Sequence, residues 1–168
     1  MIQRKIMLLG EIGVGKTSTV RRLVFDKFET NYKATVGTDI YTVDVEDVAG
    51  GDPFRFIVWD TDGNFGESIF RSVYVRQAHA ALVIGDLTRM KSLEAMVGLA
   101  EGFADAMPGR FFTCVLNKAD MLEEDQPREL PKRLATLGLP TIETSAKTGQ
   151  NVKATFAEAA ATIVRRGL

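Results

Sequence analysis

The chain has 168 residues, 45% of them hydrophobic, and its 21 lysines and arginines nearly balance 22 acidic residues, for a net charge of −1. We expect residues 1–168 to form a single domain with one well-packed core. The near-neutral charge offers no general attraction for a nucleic-acid chain or an anionic membrane, so any anion must be bound locally. The apolar run Ala80–Ile84 is far too short to span a bilayer, and the N-terminus lacks a signal-peptide core. Both observations favour a soluble, cytosolic protein.

We predict six strands from apolar runs and alternation, over residues 3–10, 38–48, 54–60, 80–86, 111–116 and 141–143. Helices are predicted over residues 15–27, 128–137 and 150–165, together with a helix that Ser92 caps and a short irregular stretch ending near Arg76. The second and third strands flank a turn and predict a hairpin. The alternation of strands and helices predicts a three-layer α/β fold: a mostly parallel six-stranded sheet with one antiparallel edge hairpin and helices on both faces. Such a sheet binds ligands at the carboxyl ends of its strands.

A glycine-rich segment, GEIGVGKT at residues 10–17, joins the first apolar strand to the first helical pattern. Glycines let several backbone N–H groups converge, and the positive end of the following helix points at the same spot, which is what a phosphate group requires. Lys16 would reach the terminal phosphates, and the Thr17 hydroxyl would bind Mg²⁺. The residues that we expect to hold the phosphates are Gly10, Glu11, Ile12, Gly13, Val14, Gly15, Lys16, Thr17 and Ser18.

Three further residues near strand ends suit a phosphate-transfer site. Thr35, in a loop over residues 28–37, offers a hydroxyl to Mg²⁺ and an N–H to a terminal phosphate. Asp60 ends a strand and can hold the water shell of the metal. Gly63 has no side chain, so its N–H can approach the terminal phosphate closely. We therefore predict Thr17, Thr35 and Asp60 as the metal-binding residues.

Two later segments, NKAD at 117–120 and TSAK at 144–147, follow strands and suit recognition of a base. The carboxylate of Asp120 can accept hydrogen bonds from N1–H and the exocyclic amine of guanine, and adenine has no such pair of donors. The stems of Lys118 and Lys147 can flank the ring, and the Ala146 N–H can meet the guanine carbonyl. Asn117 is expected to tie this loop to the phosphate loop, and Ser145 completes the base-binding set.

Over its whole length the chain resembles the Ras-superfamily small GTPases, through the motifs GEIGVGKT, Thr35, DTDG, NKAD and TSAK in that order. The Trp59-Asp60 pair resembles the sequence pattern of the Rab-like branch. The resemblance implies a P-loop GTPase fold and a GDP/GTP switch with Mg²⁺. It also implies that Phe28 packs on the guanine, that Tyr32 covers the phosphates, and that the loops around Thr35 and Gly63 become ordered on GTP. Exchange factors, GTPase-activating proteins and effectors would bind the loops around Thr35 and Asn64.

Three residues depart from the family pattern beside the terminal phosphate. Asn64 stands where the family usually has a glutamine that orients the attacking water, and it is one methylene shorter, so slow intrinsic hydrolysis is expected. Ile12 replaces a small residue where an activating protein would insert an arginine. Asp62 replaces an alanine, and we expect its carboxylate to point away from the phosphates.

The sequence leaves three functions open. The first is a switch that hydrolyses GTP, with Lys16, Thr35, Gly63 and Asn64 as catalytic residues. The second is a module that holds GTP and signals with negligible hydrolysis, and the third is a P-loop kinase or ATPase. The final residues, Arg165–Leu168, contain no cysteine for prenylation, and Ile2 stands where myristoylation needs glycine. We expect either a removed tail or a member without a lipid anchor, as in some prokaryotic relatives.

Overall fold

The structure, a computed structural model, describes residues 1–29, 35–46, 48 and 51–168. Six strands form one sheet: β1 (Ile2–Leu9), β2 (Thr38–Val45), β3 (Phe54–Thr61), β4 (Ala80–Asp86), β5 (Phe111–Asn117) and β6 (Thr141–Glu143). The α-helices in the described residues are α1 (Lys16–Phe25), α2 (Met90–Ala106), α3 (Lys132–Thr136) and α4 (Val152–Arg166). Short 3₁₀ segments lie within Gly63–Arg71, where a non-helical Gly66 interrupts them, and at Val73–Val75 and Ala119–Met121.

The strand order is β2-β3-β1-β4-β5-β6, and every neighbouring pair is parallel except β2 and β3. The antiparallel pair runs from Thr38 opposite Thr61 to Val45 opposite Phe54, which confirms the predicted edge hairpin. In a parallel arrangement the carboxyl ends of the strands meet at one edge. The segments that follow β1, β3, β4, β5 and β6 therefore lie at a common edge.

The sheet is covered on both faces, as the apolar β4 predicts. On one face, Met7 and Val83 pack in a core with residues of α2 and with Leu134 of α3. On the other face, Ile6 and Leu82 pack in a second core with residues of α1 and α4. All seven residues of β4 are buried. The three-layer fold is therefore confirmed.

Several predicted boundaries are wrong. Ser92 is not the helix cap, because α2 begins at Met90; the Ser92 hydroxyl instead accepts a hydrogen bond from the Asp86 N–H and donates to the Arg89 carbonyl. The helix predicted over residues 128–137 is reduced to α3. The Arg128 guanidinium donates to the carbonyls of Glu123 and Gln126, and these contacts hold the preceding loop in a non-helical path. Strand β2 ends at Val45, where its pairing with β3 ends.

Within the part of the chain that the structure describes, the helices are all too short or too polar to cross a membrane.

Removal of the Phe156 ring tests the core on the α1 and α4 face. Phe156 is fully buried, and its ring contacts Phe56 edge to face with centroids 6.0 Å apart. We expect Phe156→Ala to lower the free energy of unfolding by about 3–5 kcal/mol, measured by urea denaturation. The matched control is Phe25→Ala, because Phe25 is 50% exposed and should cost less than about 1 kcal/mol. Equal losses in the two variants would contradict this packing.

Candidate functional site

The phosphate loop runs from the end of β1 to the start of α1, and it wraps closely around its own lysine. The Lys16 ammonium donates to the carbonyls of Gly10 and Glu11, each at 2.8 Å. Gly15 has a left-handed backbone with φ of 102°, and a Cβ there would overlap the Asn117 amide. A side chain at this position would therefore push the loop away from the base-side segment.

Burial disfavours the protonated form of Lys16 when no nucleotide is bound. It lowers the pKa of the ammonium to about 8, although Asp60 and Asp62 act in the opposite direction. A phosphate group placed beside this ammonium would favour the charged form. Binding of an anion would therefore stabilise the protonated, positively charged form of Lys16.

Thr17, Thr35 and Asp60, the three predicted metal-binding residues, lie together. The Thr17 hydroxyl donates to Asp60 Oδ2 and lies 2.8 Å from the Thr35 hydroxyl. Asp60 is fully buried, and its other oxygen, Oδ1, has no hydrogen-bond partner among the described residues. Burial raises the pKa of this carboxyl, against the effect of the Thr17 hydrogen bond. A buried, partly unpartnered carboxylate beside two hydroxyls fits Mg²⁺, which prefers oxygen ligands.

The segment after β3 packs directly against the phosphate loop. A Cβ on Gly63 would lie 2.8 Å from the Glu11 carbonyl carbon and closer still to the Ile12 nitrogen, so only glycine permits this approach. Asp62 turns onto its own loop, because its carboxylate accepts from the Asn64 N–H at 2.8 Å and from the Gly37 N–H at 3.4 Å. Asn64 itself is exposed.

Asn117 joins the phosphate loop to the base-side loops. Its amide NH₂ donates to the Val14 carbonyl at 2.9 Å, and its oxygen accepts from the Ala146 N–H at 3.1 Å and from the Thr144 hydroxyl at 3.0 Å. The Ala146 N–H, which we expect to meet a guanine carbonyl, would then have to share or leave this hydrogen bond. The Ser145 hydroxyl donates to Asp120 Oδ1 at 2.7 Å and so orients that carboxylate.

Most of the predicted residues line one cavity of about 370 Å³: Ile12, Gly13, Gly15, Lys16, Thr17, Ser18, Phe28, Thr35, Gly63, Asn117, Lys118, Asp120, Ala146 and Lys147. Asn64, Gly10 and Glu11 line an adjoining cavity instead, and Val14, Asp60 and Ser145 are buried behind the walls. Tyr32 lies outside the described residues.

Sequence reasoning missed several residues in the wall of this cavity and one buried acid behind it. Arg21, Glu29 and Met121 also line it. Asp86 is buried at the end of β4, where it binds the Lys118 ammonium at 2.8 Å and the Arg89 guanidinium at 3.2 Å. Burial alone would raise the pKa of Asp86, but the hydrogen bonds from Lys118 and Thr88 outweigh it and lower the pKa. The available signal was the acid at the carboxyl end of a buried strand, the same signal that identified Asp60.

This combination of a parallel sheet, a phosphate loop at its carboxyl edge and a separate base-side pocket defines a P-loop nucleotide-binding protein. The Ras family model matches residues 5–165. Ras-related protein RABF2b from Arabidopsis thaliana is 33% identical over 169 residues, which cover 98% of this chain and 82% of that protein.

The chain therefore belongs to the Ras family. It is a Rab-like small GTPase, a molecular switch that binds GTP and hydrolyses it. Members of this family bind GTP and GDP with Mg²⁺ and interact with regulators and effectors. The module without hydrolysis and the P-loop kinase or ATPase gain no comparable support.

The lowered pKa of Lys16 makes nucleotide binding depend on pH. In the free protein the ammonium loses its proton near pH 8, whereas bound phosphates hold that proton more tightly. Binding of Mg²⁺·GDP at about pH 8.5 should therefore take up more than half a proton, and the affinity should fall as the pH rises above 8. Calorimetry in two buffers of different ionisation enthalpy measures this uptake.

The control is the same titration at about pH 7, where Lys16 is mostly protonated in the free protein and its uptake falls to about a tenth of a proton. Equal proton uptake at the two pH values would contradict the assignment of Lys16.

Proposed function

We propose that residues 1–168 form one G domain in which the predicted residues bind guanine nucleotide and carry out slow hydrolysis of GTP. The observation that carries this proposal is that Lys16, Asp120 and the hydroxyl-bearing Thr17 and Thr35 line one cavity. Asp60 lies behind its wall and accepts a hydrogen bond from Thr17. Lys16 and Asp120 are 104 positions apart in the sequence, so their convergence depends on the order of the strands in the sheet.

The phosphate groups would lie on the N–H groups of residues 13–18 and on the Lys16 ammonium. This arrangement provides positive charge where negative charge develops during phosphoryl transfer. Thr17, Thr35 and Asp60 would hold Mg²⁺, which supplies further neutralisation of the phosphate oxygens when bound. No nucleophilic side chain is needed, since water attacks the terminal phosphorus and the residues only position and stabilise.

Specificity for guanine would come from Asp120. Ser145 holds one of its oxygens, and Asp120 lines the cavity together with Lys118, whose ammonium is held by Asp86. A carboxylate fixed in this way accepts hydrogen bonds from N1–H and the amine of guanine, whereas adenine would leave it unpaired.

Removal of the Asp120 carboxylate tests base recognition. Competition of GTP and ATP for the wild-type protein should show a preference of at least about 10³-fold for GTP, and Asp120→Ala should reduce it by at least about 100-fold. Glu123→Ala is a suitable control, because Glu123 is an exposed acid outside the cavity and should leave the preference unchanged. An unchanged preference in Asp120→Ala would exclude Asp120 as the determinant.

Slow hydrolysis would follow from Asn64. Its side chain is exposed, lines the cavity that adjoins the phosphate loop, and is one methylene shorter than glutamine. A shortfall of about 1 Å in the placement of a reacting group can cost about a hundredfold in rate. Thr35 and Gly63 would then carry most of the positioning of water.

A longer amide at position 64 should accelerate the reaction. Single-turnover hydrolysis of Mg²⁺·GTP should be measurable in the wild-type protein and about 10- to 100-fold faster in Asn64→Gln, with similar GTP affinity. Asn64→Ala is the matched control and should be no faster than wild type. A rate in Asn64→Gln that equals the wild-type rate would show that the amide does not reach the attacking water.

Regulators and effectors would bind the loops around Thr35 and Asn64. Exposed apolar residues near these loops support this choice: Val36 is 87% exposed, and Ile40 and Val73 are also exposed. Apolar side chains left in water at a loop that changes with the nucleotide provide a binding surface whose shape depends on that nucleotide.

A further inference from the structure

Arg89 places a second positive charge on the phosphate loop, and no sequence motif predicts it. It lies directly before the first residue of α2, three residues after the end of β4. Its guanidinium donates from Nη2 to the Ile12 carbonyl at 2.9 Å and from Nε to Asp86 Oδ2 at 3.2 Å. The chain thus holds its own arginine against the loop residue that departs from the family pattern.

The guanidinium lies on the side of the loop where hydrolysis would occur. Arg89 lines the adjoining cavity of about 610 Å³ together with Asn64. Two other residues of that wall, Ile12 and Gly63, also line the nucleotide cavity, so the two cavities share a boundary. The Arg89 guanidinium, which donates to the Ile12 carbonyl, therefore lies beside the wall that the two cavities share.

Arg89 can leave its present position at small cost. The buried Asp86 carboxylate would keep the Lys118 ammonium at 2.8 Å and the Thr88 hydroxyl at 2.6 Å, so no buried charge would become unpaired. The Arg89 side chain is 43% exposed, and two hydrogen bonds hold its guanidinium, one to Asp86 and one to the Ile12 carbonyl. An arginine with these restraints is free to follow a stronger anion.

We propose that Arg89 is a built-in catalytic arginine, which moves from the Ile12 carbonyl to the terminal phosphate when GTP is bound. There it would stabilise the charge that builds on the phosphoryl oxygens while the water oxygen bonds to phosphorus and the bond from phosphorus to the GDP oxygen breaks. The proton of the water ends on the released phosphate, and Arg89 stays protonated throughout. Ile12 fits this arrangement, because its bulk obstructs an arginine from another protein at the same place. The inference rests on the phosphate site proposed above.

The test uses two variants, Arg89→Gln and Arg89→Lys. Glutamine keeps a hydrogen-bond donor for the Ile12 carbonyl without the charge, whereas lysine keeps the charge without the planar fork. Three quantities are measured: the affinity for Mg²⁺·GDP, the single-turnover rate of GTP hydrolysis, and the binding of aluminium fluoride to the Mg²⁺·GDP complex. Aluminium fluoride imitates the phosphoryl group in transfer, so its binding reports stabilisation of that group without turnover.

We expect the wild-type protein to bind aluminium fluoride with no second protein present. Arg89→Gln should slow hydrolysis and weaken aluminium fluoride binding, each by about 100-fold, while the GDP affinity stays within about threefold. Arg89→Lys should lie between. The control is Arg133→Gln, which removes an exposed arginine that is paired with Glu101 and lines neither cavity, and which should change nothing.

Hydrolysis and aluminium fluoride binding that survive unchanged in Arg89→Gln would overturn the inference. A parallel loss of GDP affinity, hydrolysis and aluminium fluoride binding would also overturn it, because Arg89 would then only support the loop. Failure of the wild-type protein to bind any guanine nucleotide would refute the phosphate site itself, and the Arg89 inference with it.

Discussion

The buried amide of Asn117 is the interaction on which the site depends. It connects the carbonyl of Val14 in the phosphate loop with the N–H of Ala146 and the hydroxyl of Thr144 after β6. An amide removed from water must have its hydrogen bonds satisfied, and these three partners leave it few other arrangements. The phosphate loop and both base-side loops are therefore held in one register, and the distance between the phosphate and base positions follows from it.

On the phosphate side of the site, burial disfavours the charged forms of two ionisable side chains. Lys16 is driven towards its neutral form by burial, and Asp60 is driven towards its neutral form by the same cause. A phosphate and a divalent cation would supply the opposite charges that both groups lack. Binding of these ligands would therefore favour the charged forms of both side chains and stabilise the folded protein.

The departures from the family pattern gather at a single wall. Ile12 and Asn64 line the adjoining cavity, and Asp62 turns back onto Gly37. Arg89, directly before α2, lines the same cavity as Ile12 and Asn64. The nucleotide-binding motifs match the family pattern, whereas Ile12, Asp62 and Asn64 do not. We therefore expect this protein to differ from its relatives in the rate and control of hydrolysis.

Local chemistry explains what could be predicted. The sequence by itself determined the strands Ala80–Asp86 and Thr141–Glu143, the hairpin, the three-layer order and the motifs that meet at one edge, because apolar periodicity and glycine-rich turns act over a few residues.

Tertiary contacts decided the rest. Arg128 keeps the loop before α3 from becoming helical by binding the Glu123 and Gln126 carbonyls. Asp86 meets Lys118, and Arg89 meets Ile12, only because β1, β4 and β5 are neighbours in the sheet. Pairings between residues far apart in the chain carry no local signal, so they become visible only once the strands are in place.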